Sequence, residues 1–195
     1  MPAMVRALAI VLLFLSITAC NNEKKEERPK ERFFPVLGFI RSQVANVDTS
    51  VYSIMKITYI DSVHTDTAFL KREEFAAAAK DFLTLPDIFQ PAYKDRYKEE
   101  DGFDGTLNLA FLFYTPKNPE SEIIKEQQIW IRPDPSGDRP SSIIINAGIS
   151  TKDSVVEKKL TWWTDRSFLV YMTKQLPGQP EVTTNFKVIW NEGDE

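Results

Sequence analysis

Cysteine and histidine are almost missing from this 195-residue chain, which has one of each, Cys20 and His64. A finger-type zinc site, a disulfide framework and any machinery that pairs Cys with His or needs two His residues are excluded or rest on His64 alone. Basic charge is short too. Twenty-four Lys and Arg stand against 28 Asp and Glu, for a net charge of −4 and a pI near 5.2. No positive field is available to hold a phosphate backbone, so no nucleic-acid partner is expected. The chain also lacks a glycine-rich phosphate loop, a dinucleotide fingerprint, an internal repeat and a long enough apolar run to span a bilayer, for which about 20 residues are needed. No cofactor and no metal is implied. What is present, 43% hydrophobic and 12% aromatic residues, is the composition of an ordinary globular protein.

The amino terminus is the most specific part of the sequence. Arg6 precedes a run over residues 7–17 that is apolar except for Ser16, and the small residues Thr18 and Ala19 lead to Cys20. This is the layout of a signal peptide over residues 1–19. Its end, Ile17-Thr18-Ala19-Cys20, resembles the lipobox of bacterial lipoproteins. The resemblance implies cleavage before Cys20, a diacylglyceryl group on its sulfur and acylation of the new amino terminus. Two or more chains hold a protein on a membrane where one does not, since each buried CH₂ contributes about 0.8 kcal/mol. In Gram-negative lipoproteins an Asp after the Cys resembles an inner-membrane retention signal. Asn21 in that place implies onward passage to the outer membrane, on its periplasmic side or at the cell surface. Residues 20–32, with Glu23, Lys24, Lys25, Glu26, Glu27, Arg28, Lys30, Glu31 and Arg32, have almost no surface to bury and read as a solvated tether.

The remainder, residues 33–192, is long enough for one core. Val36, Leu37, Ile40, Val44 and Val47 recur at helical steps after Pro35, and Ala76 to Ala79 with Phe75, Phe82 and Leu83 mark a second helix over 71–83, stopped by Pro86. Between them, β-branched and aromatic residues over 51–63 favour one strand. From Leu107 onward apolar residues alternate in six strands: Leu107, Leu109, Phe111 and Phe113; Ile123, Ile129 and Ile131; Ile143, Ile145, Ala147 and Ile149; Val156, Leu160 and Trp162; Phe168, Val170 and Met172; Phe186, Val188 and Trp190. Short turns between them predict an antiparallel β-meander. The expected fold is α+β, with about two helices packed on a curved, mainly antiparallel sheet. A closed barrel resembling a lipocalin is the alternative.

Chemistry is harder to place. The opposite strand face is mixed, with Leu112, Tyr114, Ile124, Glu126, Gln128, Trp130, Arg132, Ile144, Asn146, Glu157, Lys159, Thr161, Trp163, Leu169 and Tyr171. Indoles flanked by amides and charges can stack on a sugar ring or a peptide. Trp130, Trp163, Tyr114, Tyr171 and Gln128 are therefore the candidate ligand-binding residues, unless another element covers them. The acidic stretch Glu99, Glu100, Asp101 and Asp104 departs from the EF-hand spacing and reads as a solvated loop. Ser53-x-x-Lys56 copies the serine–lysine pattern of penicillin-binding enzymes but falls in an expected strand, without that family's partner motifs. His64 reads as a loop bystander. No catalytic residue is assigned. The expected function is a lipid-anchored envelope lipoprotein that binds a glycan, a peptide or an envelope protein. A carboxylate-dependent hydrolase of glycan or cell-wall substrates and a structural subunit of an envelope complex are the alternatives.

Overall fold

The computed structural model describes residues 34–191 apart from Ser136, so residues 1–33 with Cys20 and the tether lie outside the described residues. The chain runs α1 (Val36–Thr49), β1 (Ile54–Tyr59), β2 (Thr65–Leu70), α2 (Arg72–Ala78), α3 (Lys80–Leu83), a 3-10 turn (Lys94–Arg96), β3 (Tyr97–Asp104), β4 (Leu109–Pro116), β5 (Ile124–Arg132), β6 (Arg139–Ser150), β7 (Val155–Trp163), β8 (Ser167–Gln175) and β9 (Val182–Ile189). All nine strands form one antiparallel sheet in the order β2-β1-β9-β8-β7-β6-β5-β4-β3. Strands β3 to β9 are a continuous meander, and the β1–β2 hairpin joins its far side through β9. The end strands β2 and β3 do not pair with each other, so the sheet is open and the fold is α+β, not a barrel.

Its core lies on one face. Ile143 and Ile145 of β6, Leu160 and Trp162 of β7, Phe168 and Val170 of β8 and Val188 of β9 are buried there together with Val36, Ile40 and Val47 of α1, Phe75 of α2 and Phe82 of α3. The centre is aromatic. Trp162 and Phe168, directly opposed on β7 and β8, stack at 5.2 Å, and the Phe82 ring meets them edge-on at 5.2 and 5.5 Å. Phe75 adds an edge contact to Trp190 at 5.1 Å. Edge-to-face and offset rings of this kind add about 0.5–1.5 kcal/mol each beyond their area burial. Two polar contacts fix the helices laterally: the Lys158 ammonium is 2.6 Å from the Asp81 carboxylate, and the Asp165 N–H donates to Gln43 Oε1 at 2.8 Å.

Several sequence expectations change. The strand expected over 51–63 is half of a hairpin. Asp61 Oδ1 accepts the N–H groups of Val63 and His64 at 2.9 and 2.8 Å, and this side-chain turn reverses the chain despite the β-branched Val63. The second helix is broken at Ala79, where ψ rises to 3°. The acidic stretch is not a loop but the edge strand β3. In β4 the face is inverted: Leu112 opposes Ile129 and Tyr114 opposes Gln127, which turns Leu112 and Tyr114 to the helices and Phe111 and Phe113 to the other side. Every residue of Leu-Ala-Phe-Leu-Phe-Tyr is apolar or aromatic, so alternation there gives no sign of which face is inward. Ile124 also turns inward, because the register with β6 slips between Ile124 and Glu126. Lys125 is the extra residue of a bulge, and beyond a bulge the parity of the strand is reversed.

The edge strand β3 is held by a ring laid on a glycine. A Cβ at Gly102 would run into the ring of Phe111, its cross-strand neighbour, and Phe111 cannot swing freely because it stacks on Phe113 at 4.5 Å. Gly102→Ala is expected to lower stability by about 1–2 kcal/mol in urea unfolding, since overpacking costs of about 1–3 kcal/mol exceed the 0.4–1 kcal/mol gained from a stiffer unfolded chain. A second expectation concerns pH. Tyr97, 8% exposed, donates its hydroxyl to the Ile124 carbonyl at 3.2 Å, and burial followed by the charge of Glu122 pushes its pKa up to about 12. Between the ordinary tyrosine value near 10 and 12 the unfolded chain has lost this proton while the folded chain keeps it. Stability is therefore complete below about pH 10 and falls as pH rises through that window. Tyr97→Phe should flatten the decline measured by chemical denaturation.

Candidate functional site

All three helices described lie over the face just outlined, which leaves the other face of the sheet without a covering element among the described residues. The ladder registers arrange its side chains in rows across the strands. One row runs Gly102, Phe111, Trp130, Ser142, Trp163, Ser167 and Ile189, from β3 to β9. The next runs Phe113, Gln128, Ile144, Thr161, Leu169 and Lys187, and a third Glu126, Asn146, Lys159, Tyr171 and Asn185. The face is thus apolar and aromatic at one end and hydrogen-bonding at the other.

Trp130 is the hub of the aromatic end. Its half-buried indole lies 5.3 Å from Phe113, edge-on, and 5.8 Å from Phe111. The indole N–H donates to Gln128 Oε1 at 3.3 Å, the Gln128 amide donates to Glu126 Oε1 at 2.8 Å, and the Asn146 amide donates to Glu126 Oε2 at 2.8 Å. This relay fixes the rotamers of four side chains over two strands. It also occupies both oxygens of Glu126. Trp163 stands two strands from Trp130 with Ser142 between them, about 9–10 Å away at the usual strand spacing of 4.7–4.9 Å. The Lys187 ammonium lies 5.4 Å from the Trp163 ring centre, a cation–π contact that supports the indole from one side.

The sequence candidates therefore separate. Trp130 and Gln128 are in direct contact, Trp163 shares the row of Trp130 and the face of both, and Tyr171, 40% exposed, stands on the same face beside Lys159. Tyr171 lines a hollow of about 540 Å³ with Asn146, Glu157, Lys159, Thr173 and Glu181. Tyr114 is a correction. It is 2% exposed on the helix side, under the Phe89 ring at 5.0 Å, and burial followed by the charge of Glu99 holds its hydroxyl well above the ordinary tyrosine pKa. It belongs to the core and cannot meet a ligand on the other face. Phe111 and Phe113, which alternation alone puts in the core, stand on the other face instead. The register of β4 with β5 places them beside Trp130, and no signal within β4 itself could have done so.

The remaining motifs resolve into structure. His64 Nδ1 is 2.7 Å from the Asp61 carboxylate in the β1–β2 turn, and Lys56 places its ammonium 4.4 Å over the Phe186 ring, from a strand and not a helix. Asp104 caps the β3–β4 turn, accepting the N–H groups of Thr106 and Leu107 at 2.8 and 3.0 Å. Among the described residues no group of three or more His, Cys, Asp or Glu side chains is placed to hold a metal ion, and no helix is long and apolar enough to cross a membrane. No family model, no curated protein and no solved structure matches the chain.

Proposed function

We propose that this chain is a lipid-anchored envelope lipoprotein whose α+β domain binds a ligand or partner, a glycan or an extended peptide, on the uncovered face of its sheet. One observation carries the reading of the domain: a sheet packed by helices on one face only keeps Phe111, Phe113, Trp130 and Trp163 on the other, half-buried beside a fixed amide–carboxylate relay. Aromatic groups and amides held in register form a rigid platform on which a flat apolar surface stacks while its hydroxyl or amide edges are hydrogen-bonded. Cys20 lies outside the described residues, and the anchoring half of the proposal rests on the sequence Ile17-Thr18-Ala19-Cys20.

Both halves are testable separately. Trp130→Ala with Trp163→Ala should keep the circular dichroism of the folded sheet, lower the thermal midpoint by about 5–10 °C for the packing lost, and weaken capture of glycan or peptide probes by roughly 30-fold or more, as loss of an aromatic hot spot of about 2 kcal/mol requires. An unchanged affinity in a folded double variant removes the site. For the anchor, Cys20→Ser should move the protein from the membrane to the soluble fraction of fractionated cells. Mass spectrometry of the parent should find acyl groups on Cys20, and an unmodified thiol there would overturn the assignment.

A further inference from the structure

The two edges of the sheet, unpaired among the described residues, differ. At one edge, β3 (Tyr97–Asp104) carries Lys98, Glu99, Glu100, Asp101 and Asp104, the charged dress that keeps a strand edge from pairing with another chain. At the other, β2 has the sequence Thr-Asp-Thr-Ala-Phe-Leu, with Asp66 as its one charge, no proline, and five of its six residues exposed. Exposed large apolar side chains lie on it and in the turn that leads into it: Phe69, at 75%, with Ile60 and Val63. The direction of its unpaired backbone groups follows from the hairpin. Ile60 donates its N–H to the His64 carbonyl at 3.0 Å, in register with the pairs Thr58 with Asp66, Lys56 with Ala68 and Ile54 with Leu70. Hydrogen-bonded and non-bonded pairs alternate in an antiparallel ladder, so the N–H and C=O groups of Asp66, Ala68 and Leu70 turn to β1. Those of Thr65, Thr67 and Phe69 turn outward.

We propose that β2 is a dimerisation edge, pairing antiparallel with β2 of a second copy of this chain about a two-fold axis at Thr67. The sequence is self-complementary in that register. Thr67 meets its own mate, Thr65 meets Phe69 of the other copy, and each of these is a pair whose outward N–H and C=O groups face one another, giving about six new ladder bonds. Asp66 falls opposite Ala68 of the other copy. A slip that centred the axis on Asp66 would set two carboxylates face to face, and one at β3 would oppose several. Phe69 shares its face with Met55 and Ile57, its β1 partner and the partner of Thr67, and in the dimer it is covered by the threonines of the second copy. Because the axis is perpendicular to the sheet, the two helix layers lie on one side. The two uncovered faces join into one eighteen-stranded platform. The pairing is isologous and closes at two copies, whereas β2 against β3 would continue into a filament.

The test is sedimentation velocity of the purified full chain in density-matched detergent, together with cysteine cross-linking in membranes using a short bis-maleimide. A mass rising to that of two chains with concentration is expected. Thr67→Pro, which removes an N–H unused among the described residues, should weaken the association by about tenfold or more. Thr67→Val should leave it intact, and Thr67→Lys, which sets two ammonium groups on the axis without touching the backbone, should weaken it in a chain whose circular dichroism is unchanged. Thr67→Cys should cross-link to a dimer, and Glu99→Cys on the opposite edge should not. A single-chain mass at all concentrations overturns the proposal. So does cross-linking through Glu99→Cys, and so does a series of growing oligomers. None of these outcomes depends on whether the platform binds a ligand.

Discussion

The structure depends on a handful of rings locked between β7, β8, β9 and two short helices. Helices of seven and four residues have little stability of their own, because nucleation costs more than so few backbone bonds return. They exist because Phe75 and Phe82 are wedged against Trp162, Phe168 and Trp190, and burying an aromatic side chain contributes about 1.5–3 kcal/mol. The same contact decides which face of the sheet is closed. With both phenylalanines seated on that face, the chain has no helix left among the described residues for the other, and the uncovered platform follows from the placement of the core.

How much of this can be read from residue order depends on whether a strand has one apolar face or two. In β6, Ile143, Ile145 and Ala147 alternate with Ser142, Ile144, Asn146 and Gly148, and in β9 Phe186 and Val188 alternate with Asn185 and Lys187, so period two identifies the covered face despite Ile144. Trp130 and Trp163 inherit their positions from that contrast, since Ile129 and Trp162 beside them are fully buried. β4 has no contrast, and its face is set by a partner strand and by Phe89, both remote in sequence. Ile124 and Glu126 have the same parity and opposite faces, because a single unpaired residue lies between them. Both failures concern non-local facts, which alternation within one segment cannot encode.

The two missed strands are instructive for a related reason. β2 and β3 occupy the edges of the sheet, and an edge strand is paired on one side and solvated on the other, so it need not carry the apolar signature by which strands are recognised. β3 is acidic enough to look like a loop, and its membership in the sheet is secured by backbone pairing with β4 and by the Phe111 ring lying on Gly102. β2 is concealed by a turn whose only marker is Asp61. The residues least legible as structure are thus the ones that control what can add to the sheet.

The core and the platform share their strands, and that constrains how the platform behaves. Trp162 and Trp163 are consecutive, one stacked in the core and one on the uncovered face beside Lys187. Ile129 and Trp130 repeat the arrangement on β5. The backbone beneath each platform indole is held in place, because a twist of its strand would separate Trp162 from Phe168 or Ile129 from its neighbours in a close-packed interior. The amide–carboxylate relay adds a second restraint, because Gln128 and Asn146 both report to Glu126 across the β5–β6 pair. The Trp130 side of the surface is therefore held by its backbone and by this relay. A rigid sheet also keeps the backbone of its edge strand extended, the condition under which a second strand can pair along its whole length.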